Sequence, residues 1–188
     1  MQRRTLLIRG CQAIAAAIMA VLFVPIGRFI SAPLFRKSQS SSGAQRVAKL
    51  GQLEVGKPMQ VPIIGKRQDG WTLYPDSVIG KVWLIRRNEE AENPEECKVD
   101  AYSAVCPHIG CGINHSPDKN HFICPCHGAV FDEQGAKMNL EEPGYNNPSP
   151  RGMDSLICKV VNSDDGDDFW VEVEYEQFQI GLSEQIKK

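Results

Sequence analysis

Hydrophobic and polar positions follow two different rules along this chain. From Gly10 to Gly27 no residue is charged, and apart from Gln12 the run has no polar side to it. Those 18 residues fall within the ~17–25 that a tilted helix needs to cross a bilayer core. Arg9 and Arg28 flank the run and can extend their stems toward the headgroups. A cleaved signal peptide carries an apolar stretch of only about 7–15 residues and a small-residue cleavage site. Ile30-Ser31-Ala32 makes a poor one, so residues 1–35 read as an uncleaved leader and membrane anchor.

Beyond it the texture changes twice. "RKSQSSSGAQR", residues 36–46, has too few apolar side chains to form a core and reads as a flexible tether. From Val47 to the C-terminus, residues 47–188, short β-type runs alternate with turn residues. The clearest strands are 60–64, 81–86, 98–105, 121–125, 156–161 and 169–178. The last alternates cleanly, with Trp170, Glu172, Glu174 and Glu176 on one side and Val171, Val173 and Tyr175 on the other. "NSDDGDD" at 162–168 supplies a hairpin turn before it, and the acidic run 88–96 reads as an exposed loop. No helical period follows the leader, so this part is expected to be an antiparallel sandwich or small barrel.

Charge sharpens the division. Residues 1–46 hold seven basic side chains and no acidic one; the remainder holds the other 14 basic and all 23 acidic residues, a formal −9. An acidic domain of this kind lacks the basic face that displaces counterions from phosphates, which argues against nucleic-acid binding. "RRTLL" at 3–7, paired arginines ahead of an apolar run, resembles the twin-arginine export signal.

Candidate chemistry sits in two short segments, "CPHIGC" at 106–111 and "CPCHGAVF" at 124–131. They bring Cys106, His108, Cys111, Cys124, Cys126 and His127 within 22 residues, each beside Pro or Gly, on tight loops rather than helix faces. Three readings compete. A structural zinc site would take four of the six, yet zinc folds favour C-x2-C pairs and here each loop offers one C-x-H or C-x2-H. A catalytic Cys–His dyad accounts for two. A binuclear iron–sulfur cluster with mixed Cys and His ligands accounts for four, and glycine-bearing loops suit it because their amides can turn toward sulfur.

The order C-x-H-x15-C-x2-H, formed by Cys106, His108, Cys124 and His127 with the extra pair Cys111 and Cys126, resembles the Rieske iron–sulfur proteins. The resemblance spans about residues 47–180. It implies an all-β fold: a Rieske-type antiparallel β-sandwich with an inserted cluster-binding subdomain, preceded by one N-terminal transmembrane helix. It implies one [2Fe–2S] cluster held by Cys106, His108, Cys124 and His127 on loops within about 104–131, and a disulfide between Cys111 and Cys126. Members with that disulfide are chiefly subunits of cytochrome bc-type quinol oxidases. "NNPSPRGMDSL" looks like their proline loop, here 146–152 with Pro148 and Pro150.

Taken as such a subunit, the chain is expected to work within a quinol–cytochrome c oxidoreductase. Quinol bound by a cytochrome b-type partner would meet the outer ring nitrogens of His127 and His108, and the electron would pass to a c-type cytochrome after a swing on the tether. Positive charge on the iron favours release of the imidazole proton, here to the outside. A disulfide persists on the oxidising side of a membrane. The expected location is therefore a bacterial cytoplasmic membrane, crossed once, with the soluble domain on the periplasmic side. The alternative is the small Rieske subunit of a molybdenum enzyme such as arsenite oxidase, which needs no quinol-facing histidine.

Two departures from the family pattern bear on potential. Where high-potential members read C-P-C-H-G-S-x-Y, this chain has Ala129 and Phe131, which cannot donate a hydroxyl to the cluster sulfurs. A potential in the lower part of the Rieske span of about −150 to +300 mV is expected, suited to menaquinol. Pro107 stands where many members carry Thr. His115 and His121 read as surface positions, Cys11 as a small apolar residue of the anchor, and Trp71, Trp83 and Trp170 as core or strand-surface aromatics. For Cys97 and Cys158 two buried free thiols are the plain reading, with a second disulfide as the alternative.

Overall fold

The computed structural model describes residues 2–35, 43–69, 72–88, 96–141, 143–163 and 169–188. It divides into an N-terminal unit and a unit from Ser40 to Lys188. The first is one helix, α1 (Gln2–Phe35), of 34 residues. Its stretch Arg3–Ser31 is long and apolar enough to cross a membrane. At 1.5 Å per residue these 29 residues exceed the ~30 Å of a hydrocarbon core. Pro25 lies within α1, a tolerated position in apolar helices of this kind.

Among the described residues the second unit has nine strands: β1 (Ala44–Lys49), β2 (Met59–Asp69), β3 (Thr72–Arg86), β4 (Val99–Ser103), β5 (Asn114–Ser116), β6 (His121–Cys124), β7 (Ala129–Phe131), β8 (Ser155–Asn162) and β9 (Phe169–Glu174). Six form an antiparallel sheet in the order β1-β9-β8-β4-β3-β2. The β4–β8 seam is short, Ala101 opposite Leu156 and Tyr102 opposite Ser155. The sheet thus folds into two three-stranded layers whose outer edges, β1 and β2, come back into contact. Val61, Ile63, Val82 and Leu84 from one layer meet Val160, Val171 and Val173 from the other in the main core. The remaining strands, β5-β6-β7, form a small sheet inserted between β4 and β8.

The local reasons are visible in sequence. In β9 and the residue after it the alternating run buries Val171, Val173 and Tyr175, while Glu172 on the other face pairs with Arg46 (3.5 Å) and Lys159 (3.4 Å). Lys49 lies over the Trp170 ring, 5.6 Å from its centroid. The unbroken run Val82-Trp83-Leu84-Ile85 in β3 is buried on both faces. Val82 and Leu84 enter the main core, and Trp83 and Ile85 enter a second core shared with Ile113, Phe122, Cys124, Phe131 and Met153 of the inserted region. That second core seats the cluster-loop region on the sheet, fixed further by Trp83 Nε1 donating to Ile113 O (3.0 Å).

Several expectations are adjusted. Ala44–Arg46, read as the end of the tether, belong to β1, because β9 would otherwise expose its hydrogen-bonding edge. Residues 36–42 of that tether lie outside the described residues, as do Trp71, 89–95 of the acidic loop and 164–168 of the expected turn. β8 and β9 do form the antiparallel pair that this turn would join, Asn162 opposite Phe169. β2 and β3 run longer than the sequence suggests, with register shifts between Ile63 and Ile64 and between Gly65 and Arg67. Pro75 sits opposite the second shift, where a missing N–H is tolerated.

Candidate metal centre

The two Cys–His segments become adjacent loops at the end of the inserted sheet. The first, Cys106–Cys111, follows β4; Cys106 N–H donates to Cys111 O (2.7 Å) and Gly110 N–H to Cys106 O (2.9 Å). Gly110 holds φ +85, a left-handed conformation that a side chain would strain. The second, Cys124–Gly128, is the turn between β6 and β7, closed by Gly128 N–H to Cys124 O (3.0 Å) with Gly128 at φ +71. A disulfide between Cys111 and Cys126 joins the loops, with Cα atoms 6.5 Å apart.

The six groups separate by depth. Cys106 and Cys124 are buried, and their thiols interact with each other. His108 is half-exposed and His127 exposed, with ring centroids 4.8 Å apart, edge to face. Burial pushes the Cys106 thiol up to about 12, with the Cys124 contact adding to the rise. The backbone amides of His108 and Ile109 lie near its sulfur and oppose that rise. The Cys106 thiol is therefore held protonated in the absence of a cation, and a metal charge is what would make it a thiolate. The sulfurs of Cys111, Cys124 and Cys126 also lie within 4.8 Å of one another. With two of them in a disulfide, that triad records how close the staple stands to the cysteine pair rather than a ligand set.

A two-iron cluster fits this donor set. Two adjacent buried sulfurs suit an inner iron, and two adjacent imidazoles near the surface suit an outer one. The proline segment buttresses the second loop and β7. Asn147, buried, donates through Nδ2 to Val130 O (2.6 Å) and Met138 O (2.8 Å), and Ser149 N–H donates to Asn147 Oδ1 (3.0 Å). Tyr145 Oη donates to Gly128 O (2.7 Å), one residue beyond His127. Pro148 and Pro150 are half-buried along this segment. Ala129 and Phe131 are fully buried in β7.

Sequence reasoning missed Asn147, Tyr145 and the pair Arg151–Asp154. "NNPSP" signals only a turn, and nothing local shows which backbone carbonyls its amide will find. His115 and His121, read as surface positions, are not: the β5–β6 pairing buries His121 and packs the half-buried His115 against Phe122 and Trp83, 5.1 and 6.1 Å between centroids. Cys97 and Cys158 are free thiols in the main core. Cys158 Sγ donates to Val99 O (2.8 Å), and Cys97 Sγ accepts a long hydrogen bond from Arg86 (3.8 Å).

A small antiparallel β domain whose inserted loops bring two buried cysteines and two outward histidines together, tied by a disulfide, is an iron–sulfur electron carrier in its layout. The sequence model of the Rieske [2Fe-2S] domain matches residues 43–148, and the chain belongs to that family, with the one [2Fe–2S] cluster and the electron-transfer role this implies. The menaquinol:cytochrome c reductase iron–sulfur subunit of Geobacillus thermodenitrificans is 26% identical over 72% of this chain and 76% of its own length. The cytochrome b6-f complex iron–sulfur subunit of Chlorobaculum thiosulfatiphilum is 25% identical over 76% of this chain. That of Pisum sativum chloroplasts is 34% identical over 40% of this chain. The chain spans only 65% and 30% of the last two. Among solved structures, a chain of a hyperthermophilic respiratory Complex III aligns at 18% identity and a TM-score of 0.38, covering 89% of this chain and 96% of that one. The plasma membrane Rieske protein PetC3 of Synechocystis PCC 6803 aligns at 23% identity and 0.32, covering 53% and 83%.

Proposed function

We propose that this chain is the iron–sulfur subunit of a membrane cytochrome bc-type complex. In this reading it oxidises quinol, menaquinol in particular, and hands the electron to a c-type cytochrome while the proton leaves on the outer side. α1 anchors it in the bacterial cytoplasmic membrane, and the β domain works on the periplasmic side. The observation that carries the reading is the depth order of the site, with cysteines buried and histidines outermost. A partner can touch the imidazole end without disturbing the sulfurs.

When bound, the cluster supplies a one-electron acceptor. Cys106 and Cys124 would hold its inner iron and His108 and His127 its outer one. With the cluster held there, the imidazoles would present their free ring nitrogen to the partner, where it would accept a hydrogen bond from the quinol hydroxyl and take the proton. Tyr145 fixes the carbonyl next to His127, and the disulfide holds the two loops in register, so the imidazole pair meets the partner already oriented. The relatives named as menaquinol:cytochrome c reductase and cytochrome b6-f subunits support the complex, and the lack of hydroxyls at Ala129 and Phe131 supports a low-potential donor.

Purification of the tagged full-length protein from detergent-solubilised membranes tests this. Haems b and c are expected to copurify, and the fraction is expected to reduce cytochrome c with a menaquinol analogue as donor. A large molybdopterin subunit in place of the haem proteins would overturn the reading in favour of a molybdenum-enzyme subunit.

A further inference from the structure

The residues after β9 lie beyond the stretch matched by the family. Gln179 N–H donates to Ile186 O (2.8 Å) and Lys188 N–H to Gln177 O (2.9 Å), so 177–188 close into a hairpin of their own. Arg151 clamps it from the proline segment. Its Nη2 donates to Gln179 O (2.8 Å) and its Nη1 to Leu182 O, while Nε and Nη2 form a fork on Asp154 at 2.7 and 2.8 Å. Both members of that ion pair are less than a tenth exposed. Between the two clamped carbonyls sits Gly181, at φ +76, whose N–H donates to Pro107 O (2.7 Å). Pro107 C=O and His108 N–H are the two ends of one planar peptide unit. The other end, His108 N–H, lies near Cys106 Sγ and acts to lower that thiol's pKa.

We propose that the C-terminal hairpin tunes the iron–sulfur centre through this peptide, in a hydrogen-bond relay from Gly181 N–H through the Pro107–His108 unit to Cys106 Sγ. The inference rests on Cys106 being a cluster ligand. A hydrogen bond accepted at one end of a peptide strengthens the donor at the other, by roughly 10–30% in condensed phase. Amides aimed at ligand sulfur favour the electron-rich reduced cluster. Pro107 has no N–H of its own, so the unit before it offers the sulfur nothing, and the Pro107–His108 unit carries more of the task. Arg151 is a positioning residue: it touches neither cluster nor ligand and acts by fixing the carbonyls on either side of Gly181.

The test compares midpoint potential, iron content and EPR spectrum of the full-length, cluster-loaded protein in four forms. These are the wild type, Gly181→Ala, Ile180→Ala, and a chain ending at Phe178. Ending the chain removes the donor. Ala at φ +76 is strained, and relief of that strain draws the amide off Pro107 O. Ile180→Ala trims the side chain that lies over Gly110 (3.7 Å from a Cβ built there) yet leaves the Gly181 amide in place. The expected result is unchanged iron content and a shift of about threefold against the reduced form in the shortened chain, ~28 mV lower at ~59 mV per tenfold. A smaller shift of the same sign is expected in Gly181→Ala and none in Ile180→Ala. Equal potentials in all four overturn the relay, as does a fall in Ile180→Ala matching the shortened chain.

If the shortened chain fails to load, residue-resolved hydrogen exchange of the wild type decides. Gly181 N–H is expected to exchange more slowly in the reduced protein than in the oxidised one, and equal rates overturn the relay. A wild type that binds iron without a Rieske-type EPR signal removes Cys106 as a ligand and the relay with it. That failure is thereby told apart from equal potentials, which remove the relay alone.

Discussion

Ala129 and Phe131 are buried in β7 with no hydroxyl to offer the sulfurs beside them. A hydroxyl hydrogen bond contributes about 0.5–1.5 kcal/mol. For a one-electron couple this corresponds to roughly 20–65 mV at ~59 mV per tenfold. Ala129→Ser is expected to raise the midpoint potential by that amount in an EPR-monitored titration, and an unchanged value would show that this position does not face the cluster. Arg151–Asp154 is the residue-scale contact with most at stake for stability, because both partners are nearly buried. Asp154→Ala leaves the guanidinium as an unpaired buried charge, which costs about 3–5 kcal/mol. A fall of the corresponding size in the urea midpoint is the expected outcome, and a change near that of an exposed ion pair, below about 1 kcal/mol, would contradict it.

At the scale of elements, the two loops depend on each other through one covalent tie. Cys111 and Cys126 are 15 residues apart, and closing a loop of that length removes about 3 kcal/mol of unfolded-state freedom in the chain-entropy model. Replacing both by Ser is expected to lower stability by about that much and to speed thermal loss of the visible cluster absorption. Loss at the wild-type rate would mean the loops hold register without the tie. Sequence showed these loops because ligand spacing is local and the residue types are rare. It showed β9 because one wet face and one dry face print an alternation. β1 escaped notice because half its side chains are polar and only Ala48 is buried; it covers an edge that belongs to β9. β5 and β7 are three residues each, too short for a period to register. Asn147, Arg151 and the C-terminal hairpin escaped for a different reason. They act on backbone carbonyls nine to 31 positions away, and backbone carbonyls leave no trace in sequence.

For the molecule as a whole, the groups buried outside the proposed ligand set decide how stability responds to pH. Burial lowers the pKa of His115, with His121 adding and Glu133 opposing, and burial together with Lys119 lowers that of His121. The unfolded chain therefore binds more protons than the folded one as pH falls below the ordinary histidine value of about 6.5, and stability drops with it. On the alkaline side burial, with the Asp100 charge, pushes the Cys158 thiol up to about 11. The folded protein keeps that proton while the unfolded thiol releases it above about 8.5, so stability falls again as pH rises toward 11. The urea midpoint of the cluster-loaded protein is thus expected to be highest between about pH 7 and 8.5 and to decline on both sides. His115 offers a way to separate the acid limb from general carboxylate protonation. Its Nε2 is buried with no hydrogen-bond partner among the described residues, and its ring already packs with Trp83 and Phe122. His115→Phe keeps the aromatic contact, removes the unsatisfied nitrogen and deletes the proton site. At pH 7.5 its midpoint is expected to equal or exceed the wild type, since an unpaired buried polar atom costs about 1–3 kcal/mol. Between pH 7 and 5 its slope is expected to be shallower. A variant that loses stability at pH 7.5 and keeps the full acid slope would place the origin of that limb elsewhere.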